Sequence, residues 1–150
     1  MSQIADIVAF DGAATPVTHT LKAISVTRDK GVITGEWREA KAGVPVYAQV
    51  RALAKMQRNA SGVWRCELRT VVPVMESISG QNAAGYTAAP KVAYENTVVI
   101  TGFFHERSDE AGRRLVRQLA TNVFGSVTTS VTPVTTGPMP ELFDQLIAVS

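Results

Sequence analysis

The side chains best able to do covalent or acid–base chemistry in this chain are two histidines, His19 and His105, and one cysteine, Cys66. A histidine titrates near neutrality and a thiolate is a nucleophile, so either could serve a catalyst or hold a metal. Their spacing suits neither use, because no two of the three stand at the short intervals of a zinc site. Cys66 shares one side of an alternating segment with Trp64 and Leu68, which marks a buried, inert thiol. His19 lies within an alternating segment and His105 at a strand-to-helix junction, and both read as structural. Gly80 and Gly85 lack the Lys-Ser/Thr pair and the strand-to-helix context of a phosphate loop. With one cysteine, an intrachain disulfide and a four-cysteine zinc site are both ruled out. The expectation is a protein with no catalytic residues, no metal and no cofactor.

A second kind of chemistry is better represented. Two segments alternate with a polar side: Gln49, Arg51 and Lys55 on one, Arg65, Glu67 and Arg69 on the next. Tyr94 and Asn96 stand two apart on a third. If the three segments are neighbouring strands, these eight side chains form one surface carrying +3, against +2 for the whole chain. Cations bind phosphates, a tyrosine ring stacks on a base, and an amide bonds a base edge or a 2′-hydroxyl, a combination suited to single-stranded or looped RNA. The same content also suits a solvated sheet face, and Glu67 weighs against phosphate binding at its own position.

The elements that must position these residues follow from periodicity. Residues 4–10 are strand-like and are followed by Asp11-Gly12, a hairpin signal. Val17 to Leu21 alternates, Asp29-Lys30-Gly31 marks a turn, and Val32 to Arg38 returns as a strand. Val46 to Met56 puts Ala48, Val50, Ala52, Ala54 and Met56 on one side; Val63 to Val74 puts Trp64, Cys66, Leu68, Thr70 and Val72 on one side. Strict alternation with one polar side indicates an antiparallel sheet covered on one face. Residues 75–91 form a small, polar, flexible loop containing Ser77, Ser79, Gln81 and Asn82, and Val92 to Phe104 forms a long strand. Ser108-Asp109-Glu110 opens a helix with a capping hydroxyl and two acids, Leu115, Val116, Leu119, Val123 and Phe124 form its apolar stripe, and Gly125 ends it. Pro140-Glu141 opens a last short helix. The fold class is therefore α+β: an N-terminal hairpin and antiparallel sheet over about residues 1–105, then helices near 109–124 and 140–148, in one domain spanning 1–150. The 150 residues, 45% hydrophobic, suit a single core. Met1-Ser2-Gln3-Ile4 is unlike a secretory signal, and no apolar run approaches the roughly 20 residues needed to cross a bilayer. The helices are few and late, so an apolar sheet face would be covered by helices from a second copy.

The segment Ala93-Tyr94-Glu95-Asn96-Thr97-Val98-Val99-Ile100, with Phe103-Phe104-His105-Glu106-Arg107-Ser108-Asp109-Glu110 and Arg114-Leu115-Val116-Arg117-Gln118-Leu119-Ala120, resembles the coat proteins of the small single-stranded RNA bacteriophages, the leviviruses. The family's Tyr-x-Asn element and its Ser/Thr-Asp helix cap stand at the spacing of Tyr94 and Ser108. Tyr47 to Val74 resembles the two central strands, and Pro140 to Leu146 the last helix. The resemblance implies an intertwined homodimer with a continuous sheet and each chain's helices over its partner. Dimers would assemble in the bacterial cytoplasm into an icosahedral T=3 virion, the 75–91 loop changing conformation at the symmetry axes. The polar face would hold genomic RNA and bind a hairpin as translational repressor, with Tyr94 as the stacking ring and Asn96 beside it. Residues 126–139 make a longer, Thr-rich connection than the family pattern, and Val98 and Ile100 continue the Tyr94 side. A non-viral dimeric sheet-based RNA-binding protein is the rival reading, and it predicts hairpin binding without shells.

Overall fold

The computed structural model describes residues 3–77, 80 and 83–150. Among these, six strands form one antiparallel sheet in sequence order: β1 (Ile7–Phe10), β2 (Thr18–Asp29), β3 (Val32–Glu39), β4 (Arg51–Arg58), β5 (Val63–Met75) and β6 (Val92–His105). Helix α1 (Glu110–Phe124) follows, and a one-turn helix, α2 (Pro138–Pro140), runs into a π-turn at Glu141–Gln145. The α+β class expected from periodicity is the one observed.

Turn chemistry sets the order of the strands. Lys30 and Gly31 both take positive φ, 46° and 80°, between the paired residues Asp29 and Val32, as a tight right-twisted hairpin requires. Asp11 does not make the tight turn its Asp-Gly pair suggests. Its carboxylate accepts the amides of Ala13 and Val17, each at 3.0 Å, and so braces a longer connection. The first strand is also shorter than residues 4–10, because Ile4 leaves the sheet to bond the Ser150 carbonyl at 2.9 Å.

One face of the sheet is the core. Trp37, Ala52, Ala54, Met56, Cys66 and Phe104 line it, and Leu142, Phe143 and Val149 of the C-terminal tail lie on top. Gly35 is required there, since a Cβ would stand 2.6 Å from the Val149 side chain and 2.9 Å from the Trp37 ring. The Trp37 indole donates to the Ala5 carbonyl at 2.8 Å. Cys66 is fully buried, and desolvation pushes its thiol up to about 12, with Arg113 pulling weakly the other way.

The tail covers the β3–β5 part of this face and leaves much of β6 open. Tyr94, Val98 and Ile100 stay 58%, 49% and 46% exposed on that side. Helix α1 is open too. None of its residues is buried, and its apolar stripe ends in Val123 and Phe124, 77% and 79% exposed. The opposite side of α1 faces its own chain through arginines. Arg117 donates to both carboxylate oxygens of fully buried Asp144, at 2.7 and 2.8 Å, and Arg113 Nε donates to the Asp144 carbonyl at 2.6 Å.

Three boundaries differ from the periodicity. Asp109, not Ser108, caps α1, its carboxylate accepting from Gly112 N at 3.1 Å, while the Ser108 hydroxyl donates to the His105 carbonyl at 2.6 Å. The last helix is shorter than 140–148 because Leu146 turns left-handed, φ 56°, and sends the tail back across the core. Residues Val46–Ala48 form a 3-10 turn after Pro45, so the fourth strand begins at Arg51 and not at Val46. Ser79, Gln81 and Asn82 of the expected loop, with Met1 and Ser2, lie outside the described residues. The base of that loop is fastened: Glu76 N donates to the Lys91 carbonyl at 2.9 Å, and the Tyr47 hydroxyl to the Pro90 carbonyl.

Candidate nucleic-acid interface

The face opposite the core is sorted by strand pairing. In an antiparallel ladder, directly paired residues point to the same side. Lys55 pairs with Glu67, Leu53 with Arg69, Gln57 with Arg65, and Arg51 with Val71. These eight therefore share the face away from the tail. On β3, Thr34 pairs with Lys55 and Arg38 with Arg51, which extends the face. On β6, the residues paired with Arg65, Glu67, Arg69 and Val71 are Phe103, Thr101, Val99 and Thr97.

That register separates the expected site. Arg51, Lys55, Arg65, Glu67 and Arg69 come together as the alternation anticipates. Tyr94 and Asn96 do not join them, for they pair with Val74 and Val72 and so lie on the core side with Leu68 and Cys66. Residues at odd positions of β6 occupy the cationic face instead, and Glu95 shows it by binding Arg51 at 2.7 Å. A single-residue shift in strand phase moves every side chain to the other face. The apolar Val98 and Ile100 in step with Tyr94 were the signal in the sequence that its side belongs to the core.

Gln49 is a second correction. It is 5% exposed and brackets the 41–44 loop, its amide oxygen accepting from Lys41 N at 3.0 Å and its nitrogen donating to the Lys41 and Val44 carbonyls at 2.9 and 2.8 Å. With those bonds made, it is a loop brace and presents no free edge to a ligand.

Glu67 is outward in phase yet only 4% exposed. Arg65 donates to Oε2 at 2.8 Å, and the Arg69 guanidinium stands 3.6 Å from Oε1. The two arginines close over the carboxylate, with their own side chains 46% and 45% exposed. The surface thus presents Arg38, Arg51, Lys55, Arg65 and Arg69 with three carboxylates, Glu36, Glu67 and Glu95. Among the described residues no cluster of His, Cys, Asp and Glu could hold a metal, and no helix is long and apolar enough to cross a membrane.

A family model described as levivirus coat protein matches residues 2–138 of the chain. Among solved structures, the coat protein of bacteriophage EMS014 is 30% identical over 87% of this chain and 80% of its own, with a TM-score of 0.67. The virus-like particle of the same phage gives 28% identity, 98% and 99% coverage and a TM-score of 0.72. The virus-like particle of bacteriophage ESE058 shares the fold at 22% identity, covering 99% of each chain, with a TM-score of 0.71. No curated protein matches.

Proposed function

This chain belongs to the levivirus coat protein family, and from that premise we propose that it dimerises, closes into an icosahedral shell and packages single-stranded RNA against its cationic sheet face. Its role as a structural capsid protein of a virion, without enzymatic activity, follows from the family.

The observation that carries the dimer is the pair of uncovered apolar surfaces. The α1 stripe, Leu115, Val116, Leu119, Val123 and Phe124, is exposed while the arginine side of the helix packs on its own chain. The β6 strip, Tyr94, Val98 and Ile100, is exposed on the face where helices belong. Each matches the other's need, and burying a large apolar side chain is worth about 1.5–3 kcal/mol. Seating one copy's α1 on its partner's β6 strip hides both surfaces. Tyr94 and Asn96 then stand under the partner's helix, and the RNA face is left to Arg51, Lys55, Arg65, Glu67 and Arg69.

The remaining parts of the reading concern assembly. One domain spans residues 1–150, the shell has T=3 symmetry, and assembly takes place in the bacterial cytoplasm. Specific hairpin binding would make the protein a translational repressor as well. Expression of the chain alone, with electron microscopy of the purified product and extraction of its nucleic acid, tests the proposal. Closed particles containing RNA are expected. Soluble small oligomers alone, under assembly-permissive salt and pH, would refute shell formation, and empty closed particles would refute packaging.

A further inference from the structure

Asp11 divides its two carboxylate oxygens between two tasks. Oδ1 accepts the amides of Ala13 and Val17, each at 3.0 Å, and so braces the exposed connection from β1 to β2. Oδ2 turns to the His19 ring and stands 3.6 Å from Nε2. The other ring nitrogen, Nδ1, lies 2.9 Å from Glu39 Oε1. A carboxylate oxygen at that distance needs a proton from its neighbour, so Nδ1 carries one and donates it. Nε2 is then the nitrogen that gains or loses a proton as the ring titrates. The side chains of His19, Asp11 and Glu39 are 26%, 31% and 13% exposed, sheltered enough to act on one another and open enough for water to deliver the proton. Asp11 faces the ring from the connection and Glu39 from β3, while the residue paired with His19 on β1 is the uncharged Ala9.

We propose that His19 is a proton-operated clasp on the 11–17 connection, closed in mild acid and slack above neutrality. With a neutral ring, Nδ1 donates to Glu39 and the Nε2 lone pair is set against the Asp11 carboxylate, acceptor to acceptor. With a charged ring, both nitrogens donate, and one side chain ties the connection, β2 and the end of β3 together through two charge-assisted contacts. Histidine is the side chain whose charge ordinarily changes between about pH 5 and 8. The Ala13 and Val17 amides hold the Asp11 carboxyl below its ordinary range, with the ring adding to their effect, so the carboxylate is already ionised across that interval. The contact to Asp11 is therefore complete on the acid side of the histidine range and lost as pH rises through it. Below about pH 4 the carboxylates protonate and the brace on the connection fails from the other direction. The connection is held most closely between these two limits. The clasp works without the cationic face and without the α1 stripe, for it uses neither.

The test is hydrogen exchange of the full chain read by mass spectrometry at about pH 5 and about pH 8, the two ends of the histidine range, with rates divided by their intrinsic values at each pH. The peptide covering residues 11–18 should be protected about two- to fourfold more at the lower pH, the scale of a partly exposed ion pair. A peptide from β5 should show the same protection at both. His19→Gln keeps a donor for Glu39 but has no proton to gain, so its ratio for residues 11–18 should fall to about one. Asp11→Asn keeps an oxygen for the Ala13 and Val17 amides but removes the charge facing Nε2, and it should flatten the ratio as well. Equal protection at the two pH values in the unaltered protein would overturn the inference. So would a ratio that survives in His19→Gln, or one that β5 shares, since that would belong to the whole fold. Should one variant fail to fold, the other decides, and the unaltered protein supplies a refuting result without either.

Discussion

Asp144→Ala should strongly destabilise the protein although the residue lies outside the sheet. Asp144 is fully buried and accepts two charge-assisted hydrogen bonds from Arg117, at 2.7 and 2.8 Å. Arg114 Nε, itself without a hydrogen-bond partner, stands 3.6 Å away. Removing one side of a buried pair costs about 3–5 kcal/mol because the other charge is left uncompensated. The Arg117 side chain is 15% exposed and keeps its bond to the Val134 carbonyl at 2.7 Å, so part of that cost is relieved by water and backbone. About 2–4 kcal/mol remains. For a chain of this length each kcal/mol moves Tm by about 2–4 °C, so a fall of roughly 4–16 °C is expected by calorimetry. Arg117→Met added to Asp144→Ala should recover part of the loss, because the stranded charge goes with it. A Tm within about 1 °C of the parent, or a double variant whose losses simply add, would refute the reasoning that this ion pair clamps α1 to the tail.

Other outcomes follow from the same geometry. Tyr94→Ala should leave RNA affinity within about twofold in a filter-binding titration but weaken the dimer in sedimentation, because its ring lies on the core side. Leu119→Glu on the open stripe of α1 should yield monomers in sedimentation with sheet content unchanged by circular dichroism. The Lys22 ammonium and the Ala23 amide hold the Asp6 carboxyl below its ordinary range, and the Ala13 and Val17 amides do the same for Asp11. The stability these two contribute is present above about pH 4 and lost as pH falls below it, so amides of β1 should lose exchange protection on acidification before those of β4 and β5. Cys66, held as a buried thiol, should be unreactive to a disulfide reagent at pH 8 in the native protein and react fully in denaturant.

Much of the architecture was legible because β-alternation reports a covered face directly. Ala52, Ala54, Met56, Cys66 and Trp64 sit where their parity put them, and the α1 stripe was visible from its spacing. Gln49 was misplaced because a polar residue in an alternating run reads the same whether it faces water or braces a loop. Only Pro45, which disfavours continuing the strand backward, hinted at the turn that holds it. The shortened last helix was not legible at all. Its end is set by the tail's need to cross the core at Val149, a tertiary demand with no local signature.

The error over Tyr94 and Asn96 has a physical source worth following to its end. Parity within one strand is fixed by sequence, but the phase between two strands is fixed by the connection joining them. Residues 76–91 join β5 to β6, too long to set the phase locally. The phase is set instead by Phe104 and Gly102, which must face Phe143: a Cβ on Gly102 would stand 3.2 Å from that ring. Once they are inward, Tyr94, Asn96, Val98 and Ile100 are inward as well, and Glu95, Thr97 and Thr101 face the cations. This makes β6, the last strand of the sheet, a three-sided element with a cationic face, an apolar face and a free edge. A long apolar edge is an open invitation to pairing. A two-fold axis perpendicular to the sheet, relating two β6 strands antiparallel, satisfies all three sides at once. It pairs the edges, joins the cationic faces into one surface and brings the two apolar strips together beneath the exchanged helices. An axis lying in the sheet would pair the edges equally well yet set one chain's cations beside the other's apolar strip. The difference between the two faces of β6 therefore favours the perpendicular axis for the proposed dimer.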